Sequence, residues 1–185
     1  MKILLIIIGI LSLIIILIYN SLIAKKNQVE NISGGVDSVL KKRFDLIPNL
    51  VASVSQYMEH EKSTLEKVTE LRASAMKPNI SDEQKIALDA KLTSALGAIN
   101  IAMEAYPDLK ANENVMHLQR SLNEVEEQIS AARRAYNQAV TDFNNAIEMF
   151  PTNIMSGWMN LQRKAVFEIT VNERQNIDVG ALFNK

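Results

Sequence analysis

The two histidines are the first side chains to test for chemistry, because imidazole acts both as a general base and as a metal ligand. His60-Glu61 resembles the start of a zinc-peptidase helix, but Thr64 stands where that motif has its second histidine. A carboxylate-bridged di-metal bundle needs a glutamate three residues before its histidine, where this chain has Tyr57. We therefore expect His60 to be solvated or hydrogen-bonded and not to bind a metal.

Other catalytic arrangements are also missing from the sequence. His117 follows Asn114 by three residues and Glu113 by four, and neither arrangement has a second copy. The chain has no cysteine, which removes thiolate nucleophiles, thiolate metal sites and disulfides. It also lacks a GxSxG nucleophile elbow and a phosphate-binding glycine loop. We therefore expect a protein that is not an enzyme, with no catalytic residue, cofactor or metal.

The charge balance argues against a nucleic-acid partner. Lysine and arginine number 20, aspartate and glutamate number 21, and the net charge is -1. A nucleic-acid-binding domain needs a strongly basic face, whereas this composition gives a surface of mixed sign. We therefore expect no nucleic acid among the partners.

An uncharged apolar run opens the chain and is long enough to cross a membrane. It comprises residues 3–24 and is followed by Lys25-Lys26. About 20 apolar residues at ~1.5 Å per residue span a ~30 Å hydrocarbon layer. The alternative is a secretory signal peptide, whose apolar region is shorter and whose cleavage site needs a small residue where this chain has Leu22. We predict a transmembrane anchor over residues 1–24 that contacts the lipid bilayer through the apolar run.

The basic residues around the anchor bear on its orientation. Lys2 precedes the run, whereas several lysines and an arginine follow it. Lysine and arginine are enriched in short cytoplasmic loops, although long domains follow this rule weakly. We expect a single-pass membrane protein, with a weak preference for a cytoplasmic domain.

The clearest helix is expected to begin after Asn112 and to continue to Phe150. Its apolar residues alternate at steps of three and four without interruption, which is typical of a helix that packs at shallow angles against other helices. Pro151 then ends it, because the residue before a proline disfavours helical geometry. The stripe consists of Val115, Leu118, Leu122, Val125, Ile129, Ala132, Tyr136, Ala139, Phe143, Ala146 and Phe150.

Two earlier helices have apolar stripes of the same kind. The later one begins at Ser81, where Ser81 and Gln84 form a capping box, and ends at Pro107-Asp108. Its stripe consists of Leu88, Leu92, Ala95, Leu96, Ile99, Met103 and Tyr106. The earlier one has the stripe Ile47, Val51, Val54, Met58, Leu65 and Val68. Nearly the same period extends back to the apolar run through Leu22, Val29, Ile32, Val36, Val39 and Phe44.

Pro48 leaves the start of the earlier helix open. A proline fits the first turn of a new helix, where its missing N–H costs nothing, or it kinks one long rod. We favour the turn, because a rod would be too long for its neighbours to cover.

No stretch alternates at period two, so the predicted fold class is all-α. An N-terminal transmembrane helix continues into an antiparallel up-and-down four-helix bundle (residues 25–170), with a short tail helix near Ile154–Lys164 and a polar tail (residues 171–185).

Three separated motifs occur in a recognisable order. The first contains Arg43, Asp45, Pro48 and Asn49, and then Tyr57, His60 and Glu61. The second contains Tyr106, Pro107 and Asn112. The third contains Arg134, Tyr136, Asn137, Phe143, Asn144, Phe150, Pro151 and Asn153. In order and spacing they resemble the LemA family over roughly residues 19–167. The resemblance implies a bacterial single-pass membrane protein with an antiparallel helical bundle, and it implies no reaction.

The chain departs from the family pattern at two places. Gly34-Gly35 stand in a segment where the family usually has an aromatic and an acidic residue, and two glycines in a helix cost ~1 kcal/mol each relative to alanine. We expect a bend or a close helix crossing there. The polar stretch 172–185 is also longer than the usual end of the family, so the resemblance implies no role for it.

The long helix repeats one polar pattern after seven residues. Tyr136-Asn137 recurs as Phe143-Asn144, and each pair is followed by an alanine on the same face. The architectural interpretation is that the asparagines bond a facing backbone, with an Asp45–Asn49 turn as the recipient. The functional interpretation is a polar strip that docks a partner.

Two further side chains have alternative interpretations. Glu61 falls on an apolar stripe, where an isolated carboxylate would be costly to bury. Its expected ion-pair partners are Arg72, Arg133 and Arg134. Trp158 lies on the apolar face of the tail helix, which either closes the end of the bundle or enters a membrane interface. We favour closure.

These features predict a membrane-anchored scaffold or adaptor of the LemA family. The long apolar seam, the anchor and the missing catalytic arrangement motivate it. A homo-oligomer is expected, because the long helix exceeds its shortest partner and part of its stripe needs a neighbouring subunit. Other membrane proteins are further candidate partners. The alternative is a sensor or signal-transmitting module in which the helix that leaves the membrane relays a shift through the bundle.

Overall fold

The computed structural model describes residues 1–167, and the polar tail 171–185 lies outside the described residues. Helices account for all regular secondary structure of the described part, which confirms the all-α class. They are α1 (Lys2–Val54), a short 3-10 helix (Glu59–Glu61), α2 (Lys62–Ala75), α3 (Asp82–Met103), α4 (Pro107–Lys110), α5 (Glu113–Glu148) and α6 (Thr152–Trp158).

Helix α1 is a single helix of 53 residues that contains the whole apolar run. Its residues 1–17 are exposed on every side, and Ile18 is the first that other parts of the chain cover. From Leu22 onward one side of the helix is buried at about every seventh residue, at Leu22, Val29 and Val36. The apolar run and the domain therefore share one helical register, as the sequence predicted.

The predicted turn at Pro48 is wrong, because α1 continues through this residue to Val54. A proline lacks the N–H that would bond the carbonyl oxygen four residues earlier, here that of Phe44. Nε of Arg72 in α2 donates to that oxygen at 2.7 Å. The carbonyl is thus satisfied from outside the helix, and the chain first leaves helical geometry between Val54 and Glu59.

Gly34 and Gly35 lie inside α1 without ending it. A Cβ atom built at either position would have no heavy atom within 4 Å. Within residues 1–167 no neighbouring helix lies close to these glycines, so the expected close crossing is wrong.

Side-chain caps define the ends of the later helices. Ser81 Oγ accepts from the Gln84 N–H at 3.2 Å, and the Gln84 side chain accepts from the Ser81 N–H at 3.1 Å. Asn112 Oδ1 accepts from the backbone N–H groups of Asn114 and Val115 at 3.0 and 3.3 Å. Both helices start where the sequence predicted, since such caps satisfy amides that lack a helical partner.

The core forms where α5 packs along α1 and where α2 packs on α1 and α3. The predicted α5 stripe is buried or half-buried from Val115 to Ala146. Phe150 is 78% exposed and does not extend that stripe, because α5 ends at Glu148. Val140 and Ile147 are buried although they lie beside the predicted stripe. The apolar face of α5 is therefore wider than a single heptad seam, as is usual for a helix with several neighbours.

The tail helix is shorter than predicted and faces the other way. Thr152 Oγ1 donates to the Met149 carbonyl oxygen at 2.7 Å, and Ser156 Oγ donates to that of Ile147 at 2.7 Å. These bonds hold the hydroxyl face of α6 against the end of α5. Trp158 is left 79% exposed, so the interpretation that it closes the end of the domain is wrong.

Candidate functional site

A buried charged cluster joins three helices near the middle of the domain. Arg43 comes from α1, Asp89 and Thr93 come from α3, and Glu126 and Arg133 come from α5. The side chain of Arg43 is 1% exposed and that of Asp89 is 2% exposed, so both charges are removed from water. Charged side chains are almost never fully buried unless they are paired.

The cluster is held by direct hydrogen bonds. The Arg43 guanidinium donates to Thr93 Oγ1 at 2.9 Å, to Glu126 Oε2 at 3.0 Å and to Asp89 Oδ1. The Arg133 guanidinium lies 2.5 Å from Asp89 Oδ2 and donates to Thr93 Oγ1 at 3.3 Å. Two guanidinium groups thus face two carboxylates, and the summed charge of the cluster is zero.

This arrangement suits bracing better than reaction. Each carboxylate oxygen of Asp89 faces one guanidinium group, Oδ1 that of Arg43 and Oδ2 that of Arg133, so the carboxylate links α3 to both other helices. Nε of Arg43 and Nε of Arg133 are buried and have no hydrogen-bond partner within residues 1–167. A cavity of about 190 Å³ borders Arg43 and is lined by Thr93, Asn100 and Asn123. The cluster fixes the position of α3 relative to α1 and α5.

Two asparagines of α5 hold an extended piece of chain that follows α6. Asn137 donates to the Phe167 carbonyl oxygen at 2.8 Å and accepts from the Phe167 N–H at 2.8 Å. Asn144 makes the same pair of bonds with Lys164, at 2.9 and 3.0 Å. Each amide side chain therefore satisfies both backbone groups of one residue, as a neighbouring β-strand would. The recipient is residues 164–167 and not residues 45–49, which are helical.

Tyr136 packs beside this contact. Its ring meets that of Phe167 edge to face, with 5.3 Å between the centroids, and the Arg133 guanidinium carbon lies 5.9 Å from the Phe167 centroid. Burial raises the pKa of Tyr136 to about 12, helped by the negative charges of Asp82, Glu83 and Asp37. The phenol is therefore protonated at neutral pH and offers no base.

Comparison with known proteins shows the family to which the chain belongs. A family model described as the LemA family matches residues 33–180, which is most of the chain. The chain belongs to the LemA family. It is 29% identical over 165 residues to a relative named Protein LemA from Metamycoplasma hominis, covering 89% of this chain and 75% of that protein.

More distant relatives match a shorter region of the LemA chain. Magnetosome proteins MamQ 1 and MamQ 2 of Paramagnetospirillum magneticum are each 29% identical to it over 80 residues. The match covers 43% of this chain and 29% of either relative. The match thus spans less than a third of the length of these two proteins.

The LemA motif residues lie at several places and do not converge on one site. Arg43, Tyr136, Phe143 and Asn144 are buried, and Asn137 is half-buried. Tyr106, Pro107 and Asn112 form the connection between α3 and α5. The exposed motif residues are Asp45, Pro48, Asn49, Tyr57, His60, Pro107, Arg134, Phe150, Pro151 and Asn153. Buried motif residues brace the domain, whereas the exposed ones are available to solvent.

The predicted ion pair of Glu61 is wrong. Glu61 lies in the short 3-10 helix and is half-buried. Its three expected partners bond elsewhere: Arg72 to the Phe44 carbonyl, Arg133 to the charged cluster, and Arg134 to Ser130 Oγ at 2.9 Å. Within the described residues, no three histidine, aspartate or glutamate side chains come together as metal ligands.

Sequence reasoning found Arg43 through its motif but missed its partners. Asp89 lies beside Leu88 on the apolar side of α3, and Glu126 lies beside Val125 on that of α5. A single charge next to an apolar stripe was the available signal. It could not identify the partner, because Asp89 is 46 residues from Arg43 in sequence.

Proposed function

We propose that this LemA-family protein is a membrane-tethered scaffold or adaptor without catalytic activity. One observation carries the proposal: α1 is a single helix whose first part is apolar and uncovered and whose second part belongs to the core of the domain. Any protein that binds the domain is thereby held at a fixed distance from the membrane.

The proposed architecture is an antiparallel up-and-down four-helix bundle of α1, α2, α3 and α5. Arg43 bonds Glu126, and Lys26 and Phe143 line one cavity, so α5 runs opposite to α1. On α1, Lys26 and Arg43 are as many residues apart as Glu126 and Phe143 are on α5. This equal spacing supports a regular antiparallel pair.

The other two helices follow by the same reasoning. Phe44 accepts from Arg72, whereas the earlier Asp37 lines one cavity with the later Lys77. Helix α2 therefore runs antiparallel to α1. Lys85 lies 2.6 Å from Asp37, and the later Thr93 accepts from the later Arg43. Helix α3 therefore runs parallel to α1. Successive helices thus alternate in direction, as in a bundle with short connections.

The proposed membrane anchor is the apolar run of α1. Two helices of the described part, α1 and α3, are long and apolar enough to cross a membrane. Helix α3 supplies Leu92, Ile99 and Asp89 to the core, so we assign the anchor to α1. Lys25 and Lys26 at its domain end favour a cytoplasmic domain under the positive-inside rule.

Extraction of membranes tests the anchor. The full chain, expressed in bacteria, should remain in the membrane pellet at alkaline pH and leave it only in detergent. A variant that lacks residues 3–17 is the control and should be released by alkali. Release of the full chain by alkali would refute the anchor and leave a cleaved signal peptide as the better interpretation.

Self-association is the second part of the proposal. Helix α5 has 36 residues and α2, the shortest of the four main helices, has 14, so the bundle has fewer helices along one part of α5 than along another. Ile101, near the end of α3, is 76% exposed and could enter a contact between subunits. Sedimentation of the detergent-solubilised chain at several concentrations should show a species larger than a monomer. A monomer at all concentrations would refute this part.

The alternative is a signal-transmitting module, and the continuity of α1 favours it. A rotation or shift of the apolar run would reach Arg43 without an intervening loop, and Arg43 contacts both α3 and α5. This function requires two packing arrangements of the domain. A helix packing that no ligand or partner changes would refute it.

A further inference from the structure

The segment 149–158 carries large apolar side chains that nothing in the described part of the chain covers. Ile154 and Trp158 are one turn apart on α6 and share one side of it. They are 53% and 79% exposed, and the preceding Met149 and Phe150 are 62% and 78% exposed. Neighbouring exposed apolar residues of this size mark an interaction surface. We call these four residues the α6 surface.

The outward direction of the α6 surface is built into the fold. The hydroxyl groups of Thr152 and Ser156 bond backbone carbonyls at the end of α5. Met155 and Met159 are half-buried against the core on the same inward side. Because both kinds of contact orient α6, its apolar side cannot turn toward the domain.

The α6 surface lies at the end of the domain from which the apolar run emerges. Helix α6 follows the last turn of α5 and contacts α1. In the proposed antiparallel pair, the last turn of α5 lies level with Leu22 of α1. Ile18 and Leu22 are the first residues of α1 that the domain covers.

The length of the uncovered run decides what the α6 surface meets. Residues 3–17 extend about 22 Å at ~1.5 Å per residue, which is less than the ~30 Å of a bilayer hydrocarbon layer. The remaining thickness has to include the level of Ile18 to Leu22. Ser156 of α6 bonds the Ile147 carbonyl oxygen, and the antiparallel register puts Ile147 level with Leu22, so the bilayer surface reaches α6.

We infer that the α6 surface is seated in the interfacial region of the bilayer that holds α1. This inference rests on the proposed membrane anchoring. Tryptophan prefers the membrane–water interface, where its ring lies at the level of the lipid headgroups. The domain would then contact the membrane at two points, which fixes its tilt and its rotation about α1.

The single tryptophan of the chain is a direct probe of this contact. The full chain is placed in phosphatidylcholine nanodiscs, whose two faces are both open to solvent. We expect lipids brominated near the headgroup to quench most of the Trp158 emission, and we expect iodide in the water to quench little of it. Quenching by iodide without quenching by brominated lipid would overturn the inference. Protection from both quenchers would overturn it too, since a second copy of the chain would then cover Trp158.

A matched control moves the probe to the far end of the domain. In the variant Trp158→Phe/Ala105→Trp the new tryptophan occupies an exposed position between α3 and α4, and iodide should quench it while brominated lipid does not. Alkaline extraction reports on the anchor alone. If the protein stays in the membrane at alkaline pH but iodide quenches Trp158, only the contact of α6 with the bilayer is refuted. If alkali releases the protein, the anchor is refuted.

Discussion

Arg72 supplies the hydrogen-bond donor that Pro48 withholds from α1. The donor is the side-chain Nε, and the acceptor is the Phe44 carbonyl oxygen, 2.7 Å away. A proline inside a helix costs about 3 kcal/mol or more. A hydrogen bond from a charged group contributes about 1.5–3 kcal/mol, so the two effects are of similar size. The proline and the arginine are therefore expected to be energetically coupled.

We predict that Arg72→Ala lowers the free energy of unfolding by about 1.5–3 kcal/mol in the natural sequence. In a Pro48→Ala background the loss should be much smaller, because residue 48 then bonds Phe44 through its own N–H. Urea unfolding of the four proteins in detergent, arranged as a double-mutant cycle, measures the coupling. Equal effects of Arg72→Ala in both backgrounds would contradict the role given to Arg72.

Substitutions of Asn137 and Asn144 distinguish the architectural interpretation of these asparagines from the interpretation that they bind a partner. Asn137→Ala removes both bonds to Phe167, and Asn144→Ala removes both bonds to Lys164. We expect each change to lower the free energy of unfolding by about 1–3 kcal/mol. The Lys164 and Phe167 amides should also exchange hydrogen faster.

The matched control for the asparagine pair is Asn145→Ala, since Asn145 is an exposed asparagine of the same helix. It should leave both measurements unchanged. Intact stability and slow exchange in the Asn137 and Asn144 variants, with loss of a captured partner, would favour the docking strip.

At the scale of the element, the charged cluster determines how α3 sits against α1 and α5. Breaking a buried ion pair by removing one partner costs about 3–5 kcal/mol, because the other charge stays buried. An exposed pair is worth about 0–1 kcal/mol. Removing one member of the cluster should therefore cost much more than removing one member of an exposed ion pair.

We predict that Asp89→Ala lowers the free energy of unfolding by about 3–5 kcal/mol, since it leaves Arg43 and Arg133 without their shared carboxylate. The control is Asp45→Ala, which breaks the exposed Lys41–Asp45 pair and should change stability by less than about 1 kcal/mol. Denaturant unfolding of both variants provides the comparison. Similar small effects would show that the cluster does not stabilise the domain.

At the scale of the whole molecule, the core of the domain extends into the apolar run. The sequence placed the anchor at residues 1–24 and the domain after it. The domain nevertheless covers Ile18 in part and Leu22 completely. The family match begins at residue 33, still further along the same helix. The last turns of the apolar run therefore belong to the core as well as to the proposed membrane span.

This overlap predicts different effects for two leucines of one helix. Leu22→Ala should lower the free energy of unfolding by about 2–5 kcal/mol, because Leu22 is fully buried. Leu11→Ala should leave it unchanged, because Leu11 is 54% exposed and touches no core residue. Unfolding of both variants in the same detergent, followed by circular dichroism, measures the difference. An equal loss in both would mean that detergent, and not the domain, covers Leu22.

The sequence by itself determined where α3 and α5 begin, their caps at Ser81 and Asn112, and most of the core stripe of α5. These features depend on contacts within a few residues, and helical periodicity makes them legible in one dimension. The motifs were likewise sufficient to place the chain in the LemA family. They were not sufficient to give the motif residues their contacts.

Only the tertiary structure decided the continuity of α1 at Pro48, the partners of Arg43 and the exposure of Trp158. Each depends on a group that is distant in sequence: Arg72 completes α1, Asp89 neutralises Arg43, and the carbonyls at the end of α5 orient α6. A local pattern shows that a donor is missing or that a charge must be paired. Which distant group supplies the partner depends on how the helices pack.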